Sequence, residues 1–395
     1  MRKSDLPPRL LLGPGPSPVD DRVLRAMARP LLGHLDPEFL ALMDETQRML
    51  REVFATENRM TFAISGTGSA GMEAAMVNLL EAGDRAVIGV AGVFGLRLAE
   101  QARRNGAEVV TVETEWGTTL DEGAVIEEIR RAPTRLVAVV HAETSTGVLQ
   151  PLDAISQAAR ESGTLTVVDA VTSLGAHPVR VDERGIDICY SGTQKCLSCP
   201  PGLAPVSFSE RALEAIRARE TPVRSWYLDV GLLEGYWGDD RAYHHTAPIS
   251  MAFALHEALG IVVDEGAEAR AARHRMHHRA LVAGVEAMGL EMLVAEASQR
   301  LWSLNAIRVP ERIDEARVRR TLLQKHGIEI GGGLGPLAGS IWRVGLMGSG
   351  STANNVLLLL AALQGALRDQ GLQCPSGVDA ALAALNDTGS VAANH

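Results

Sequence analysis

Asp187-Ile188-Cys189-Tyr190-Ser191-Gly192-Thr193-Gln194-Lys195 sets one lysine just past a short apolar run, within a stretch crowded with small residues. A lysine held there is a candidate Schiff-base nucleophile. Upstream, a second apolar run, Thr164-Leu165-Thr166-Val167-Val168, ends in Asp169, a carboxylate placed where a sheet delivers side chains to a site. Taken singly, a surface lysine and a helix-capping aspartate are the plain alternatives, since most Lys and Asp are solvated. Their joint placement after successive strands favours a site. A lysine to bind an aldehyde and an aspartate to hold a pyridinium proton are the two groups that pyridoxal 5'-phosphate (PLP) chemistry takes from a protein.

Working outward, apolar runs bounded by turn signals recur at 60–64, 85–90, 108–112, 136–140, 165–168, 186–190 and 204–208, with helical stretches between them. That alternation predicts an α/β fold whose mainly parallel, seven-stranded sheet is covered by helices on both faces. After Ser250 comes a long helical stretch, 251–288. A smaller strand-helix-strand unit follows (304–309, 314–325, 328–330, 341–346), and then a helix over 352–368. The expected organisation is an N-terminal extension over 1–20, a large PLP-binding domain over 21–263 and a small α/β C-terminal domain over 264–385. Residues 386–395 lack apolar periodicity and are expected to be a disordered tail.

Ser65-Gly66-Thr67-Gly68-Ser69-Ala70-Gly71 follows the first run and opens a helical stretch, so backbone amides and a helix N-terminus converge on an anion site. The glycine spacing also suits a phosphate-binding P-loop or a dinucleotide fingerprint. The P-loop fails because Met72-Glu73 stand where Lys and Ser/Thr are needed, and the dinucleotide reading lacks a ribose-binding carboxylate after Val90. A single phosphate monoester fits better, with the Thr67 and Ser69 hydroxyls and the Gly68 amide as donors. A bare strand-to-helix turn is the alternative. Phe94, at the tip of the loop after the second strand, can lie on the face of a pyridine ring, although a lone Phe there also reads as core. Arg343 sits among the apolar residues 341–346 and requires an anionic partner. Its planar fork suits the α-carboxylate shared by amino-acid donor and keto-acid acceptor, a structural salt bridge being the alternative.

Composition narrows the partners. Lys and Arg number 38 against 48 Asp and Glu, a net charge of −10, which argues against nucleic acid or an anionic membrane. Four cysteines in 395 residues do not suggest a disulfide framework, so a cytoplasmic protein is expected. Cys196 and Cys199 lack a second pair to complete a zinc site, and His244-His245 lack a nearby acidic partner, so no metal is expected.

Segments 167–179 (VVDAVTSLGAHPV) and 185–209 (GIDICYSGTQKCLSCPPGLAPVSFS) resemble the class V, fold-type I PLP-dependent aminotransferases, in particular the alanine-glyoxylate and serine-glyoxylate family. The resemblance runs from LLGPGPSPV (11–19) to WRVGLMG (342–348). It implies that Lys195 carries the cofactor and then shuttles the substrate proton, with Asp169 under the ring nitrogen. HAETSTG (141–147) is similar to the family's HGESSTG, which gives Thr144 a cofactor-binding hydroxyl, and Gln194 a phosphate or positioning hydrogen bond. Tyr243 and Thr246, in YHHT, would reach the phosphate of the neighbouring subunit, which implies a homodimer with shared active sites. Gly13 and Gly33 resemble segments that approach the substrate. Phe94 departs from the family's usual Trp. The activity so implied moves an amino group from alanine or serine to glyoxylate, giving glycine and a 2-oxo acid. The alternatives are ureidoglycine-glyoxylate or serine-pyruvate transfer. A cysteine desulfurase is disfavoured because no Cys occurs between Cys199 and Cys374, and an NAD-dependent dehydrogenase by the missing ribose carboxylate.

Overall fold

The seven apolar runs form one sheet. The computed structural model describes residues 6–238 and 240–387. Its strands are β1 (Met60–Ser65), β2 (Arg85–Val90), β3 (Glu108–Glu113), β4 (Leu136–Val140), β5 (Leu165–Asp169), β6 (Ile188–Tyr190) and β7 (Leu203–Phe208). They lie in the order β1-β7-β6-β5-β4-β2-β3, with β7 antiparallel to both neighbours and every other pairing parallel. The runs read as continuous because both faces are buried. Neighbouring residues alternate between two cores: Phe62, Ile88, Ala138, Val167 and Ile188 face one layer. Ala63, Val87, Val137, Val168 and Cys189 face the other.

Helices α1 (Pro37–Phe54), α2 (Gly68–Leu79), α3 (Val93–Arg104), α4 (Ile249–Glu265) and α5 (Ala267–Ala287) are those that bear on the site. Two expectations change here. The single helical stretch over 251–288 is two helices, because Gly266 adopts φ 81° and its amide closes α4 onto Val262 and Val263. Across the break, Glu265 accepts from Arg270 and Arg273, each at 2.5 Å. Phe94 is not at a loop tip, since α3 starts at Val93 and places it in the first helical turn.

The C-terminal part has its own core, in which β8 (Leu304–Arg308), β9 (Gly331–Gly332) and β10 (Ile341–Gly345) pair antiparallel in the order β8-β10-β9. Residues Ile328–Glu329 do not join that sheet. They pair in parallel with Leu10–Leu11 from the N-terminal segment, and Leu12 is buried in the C-terminal core. Helix α6 (Glu315–His326), α7 (Ala353–Arg368) and α8 (Gly377–Asn386) cover the small sheet. Helix α8 takes up Asn386, the first residue of the expected tail, and 388–395 lie outside the described residues.

Candidate active site

The parallel register sets the centre of the site. Asp169 stands opposite Tyr190 across β5 and β6, and the two buried side chains meet: the Tyr190 hydroxyl donates to Asp169 Oδ2 at 2.8 Å. The Val171 amide donates to Oδ1 at 2.9 Å. Burial raises the Asp169 carboxyl to about 6, against the pull of these two bonds and of the Lys195 charge. A carboxylate with that balance is ready for a cationic partner.

Lys195 lies in the turn after β6, and its backbone is held on two sides. Ser17 Oγ donates to the Lys195 carbonyl at 2.7 Å, and Arg270 Nη2 donates to the next carbonyl, of Cys196, at 2.7 Å. The side chain is buried, and Nζ donates to the carbonyl of Pro14. Burial pulls the amine down to about 8, with Arg343 and Arg97 adding to the fall and Asp169 opposing it. Gly15, at φ 111°, holds a backbone conformation that side-chain-bearing residues rarely adopt, and a Cβ there would stand 2.6 Å from Nζ and push the amine aside.

The glycine loop closes one side of this pocket. Helix α2 starts at Gly68, inside the glycine loop, with Thr67 as an N-cap that makes no side-chain bond. Thr67 and Ser69 are exposed, and the first amides of a helix lack acceptors one turn back, although that of Ala70 donates to the Thr67 carbonyl at 2.7 Å. A Cβ on Gly68 would stand 3.2 Å from Val171 and 3.5 Å from Gly192, so the loop abuts both the Asp169 and the Lys195 segments. Gln194 Oε1 is buried there without a partner.

On the opposite side, Arg343 rises from β10. Its Nε donates to Gly332 O at 2.7 Å and its Nη1 to Thr144 O at 3.1 Å. Among the described residues no carboxylate lies within ion-pair distance of it, so the salt-bridge alternative finds no support. The two anchors fix the guanidinium plane and leave the remaining Nη hydrogens for an external carboxylate. Gly13 packs beside Gly331 and Gly345, next to this strand. The Thr144 hydroxyl is 2.5 Å from that of Thr172.

Lys195, Asp169, Gln194, Thr67, Gly68, Ser69, Thr144, Arg343 and Gly13 thus surround one space, with Phe94 linked to it through Glu143. Three expected residues stand apart from it. Tyr243 and Thr246 are exposed, their hydroxyls 3.4 Å apart, and the Tyr243 ring is tilted against that of His34, beside the exposed Gly33, with centroids at 5.0 Å. Only their neighbour His245 touches the site's edge, Nε2 lying 3.1 Å from Ser65 Oγ. Tyr190, Glu143, Ser145, Pro14 and Ser17 carry no role that the sequence alone assigns. A buried Tyr in an apolar run, or a buried Glu among small polar residues, carries no local mark, and only the fold reveals its partner. The thiols of Cys196 and Cys199 are buried and pushed up by that burial to about 11 and about 12. No group of metal ligands occurs among the described residues.

The donor set fits PLP: free amides and hydroxyls at a helix N-terminus for a phosphate, a buried carboxylate between strands for a ring nitrogen, and an amine beside both. The class-V aminotransferase family matches residues 11–344, and the chain belongs to that family of PLP-dependent enzymes. A relative named (S)-ureidoglycine–glyoxylate transaminase, from Bacillus subtilis, is 42% identical over 98% of both chains. The crystal structure of ureidoglycine-glyoxylate aminotransferase from Bacillus subtilis superposes with a TM-score of 0.95 at 44% identity, covering 97% of this chain and 99% of that one. That of an alanine–glyoxylate aminotransferase from Nostoc sp. gives 0.91 at 47% identity, covering 93% and 97%.

Proposed function

We propose that this aminotransferase moves the amino group of a small L-amino acid, alanine or serine, to glyoxylate, giving glycine and a 2-oxo acid. The observation that carries this reading is Arg343, a buried guanidinium near Lys195, oriented by two backbone carbonyls and with no ion-pair partner among the described residues. Such an arginine suits the α-carboxylate common to donor and acceptor. Bound PLP supplies the electron sink that the loss of a Cα proton needs.

The chain's own residues do the rest. Thr67, Ser69, the Gly68 amide and Gln194 would hold the phosphate, Phe94 would lie against the ring, and the Thr144 hydroxyl would reach the cofactor's oxygen atoms. Asp169 would keep a proton on the ring nitrogen. Lys195 Nζ, at about 8, is partly neutral near neutral pH and can take the proton from the substrate Cα. Gly13 and Gly33 would border the substrate.

Tyr243 and Thr246 would complete the phosphate site of a second copy, so the working unit is a homodimer with shared sites. The exposed apolar side chains around them support this: Trp226 is 62% exposed, Tyr243 59% and Leu31 66%. The four free thiols fit a reducing cytoplasm. A second reading, with (S)-ureidoglycine as donor, is favoured by the Bacillus subtilis relative. A panel of alanine, serine and ureidoglycine against glyoxylate and pyruvate, scored by kcat/KM, tests both. Turnover confined to pyruvate would overturn the choice of acceptor.

A further inference from the structure

Helix α3 begins without a cap of its own. Its N-cap is Gly92, which has no side chain to offer, and its first turn carries no acidic residue. The amides of a first turn still need acceptors. They find them on the segment after β4: the Val93 amide donates to Ser145 Oγ at 3.0 Å and the Phe94 amide to Glu143 Oε2 at 3.2 Å. The Gly95 amide also leans on this carboxylate. The other oxygen, Oε1, accepts from the Ser145 amide at 3.1 Å and from the Ser145 hydroxyl at 2.5 Å.

Glu143 and Ser145 therefore act as one displaced cap for α3, supplied from fifty residues away in sequence. No local substitute could stand in for it, because a Cβ on Gly92 would lie 2.6 Å from Glu143 Cγ and Cδ. Glu143 is 1% exposed, and burial raises its carboxyl to about 7. A buried acid is costly, and it is retained where its bonds hold something in place. Here it holds the residue next to the cofactor space. The same three-residue segment presents the Thr144 carbonyl that anchors Arg343.

We propose that Glu143 is a positioning residue of the amino-transfer site, fixing the first turn of α3 through the Phe94 amide so that the Phe94 ring meets the cofactor in one orientation. The proposal rests on the reading of Phe94 as the neighbour of the cofactor ring. Glu143 is placed to touch neither cofactor nor substrate and acts on the ring through Phe94, while its charge also favours the Arg343 guanidinium.

The test is a double-mutant cycle on the whole enzyme, with PLP stripped and titrated back. Glu143→Gln keeps the size but turns an acceptor pair into a mixed amide. It should raise the PLP dissociation constant about tenfold, equivalent to ~1.4 kcal/mol, and weaken the visible circular dichroism of the bound cofactor. Phe94→Ala should also weaken PLP binding. In that background, adding Glu143→Gln should change the dissociation constant by less than about twofold, since coupled residues are not additive. Full additivity would overturn the proposal and leave the role of Phe94 standing. Wild-type PLP binding by Phe94→Ala would remove the reading beneath it, and the proposal with it. Should Glu143→Gln fail to fold, Ser145→Ala enters the same cycle with an expected shift of about threefold, about half a decade under the main variant. Ser145→Thr keeps the hydroxyl and should bind PLP and show the dichroic band as wild type does. Loss of both in Ser145→Thr would overturn the hydroxyl's part in the cap.

Discussion

Replacing Arg343 by lysine separates substrate recognition from the rest of the site. The native guanidinium is tied down at Nε by Gly332 and at Nη1 by Thr144, at 2.7 and 3.1 Å, and what remains of the fork can meet a carboxylate end-on with two hydrogen bonds. A lysine ammonium keeps the charge but has no plane to orient. It can satisfy one of the two carbonyls, or the substrate with a single bond, but not all at once. The loss is one charge-assisted hydrogen bond, ~1.5–3 kcal/mol, so kcat/KM should fall roughly ten- to hundredfold. Because donor and acceptor share the α-carboxylate, the fall should appear in KM for the amino acid and for glyoxylate alike, with the bound-cofactor absorption unchanged. Steady-state kinetics for both half-reactions measure it. Unchanged kcat/KM for both substrates would show that Arg343 is structural and that the carboxylate site lies elsewhere.

Borohydride reduction of the yellow holoenzyme followed by peptide mapping should place a pyridoxyl group on Lys195, and a label on another lysine would refute the assignment. Mixing Lys195→Ala with Thr246→Glu subunits should restore roughly a quarter of wild-type sites, since about half of the dimers are mixed and each has one whole site; verified exchange without regained activity would mean that the phosphate contact is made within one chain. Gly15→Ala should slow PLP capture by Lys195, because a methyl group 2.6 Å from Nζ displaces the amine, and wild-type capture rates would argue that the N-terminal segment stands clear. Acid should unfold the protein through its buried histidines. Burial holds His141 and His274 at about 3, well below their unfolded value of 6.5, so the unfolded chain takes up protons first as pH falls. Each then removes about 1.4 kcal/mol of stability per pH unit below 6.5, and an unfolding midpoint that stayed level between pH 7 and pH 5 would contradict this.

The sheet was legible because seven buried strands cannot avoid being apolar, and turn residues mark their ends. Strand direction was not, since nothing in Leu203–Phe208 distinguishes an antiparallel strand from a parallel one. Lys195, Asp169 and Arg343 were legible as charges where charge is expensive. Glu143 and Tyr190 were not, because their partners, the Phe94 amide and Asp169, become neighbours only through strand order and register. The break at Gly266 had a signal, a glycine inside a helical pattern, but Gly260 and Gly284 carry the same mark and stay helical. The charged residues that follow it continue the helical period and conceal the stop.

The N-terminal segment has a consequence for the order of assembly. Leu10–Leu11 cannot pair until Ile328–Glu329 exists, and the bond from Arg9 to the Leu323 carbonyl spans 314 residues of sequence. Between those contacts and Ser17, which grips the Lys195 carbonyl, runs the stretch whose Pro14 carbonyl meets the lysine amine. A ribosome-bound chain that has completed its large sheet therefore still lacks the roof over its nucleophile. Contacts of such separation form late in folding. Cofactor capture by a finished pocket thus waits until the strand at Ile328–Glu329 has been made, and residues early in the chain are among the last to find their place.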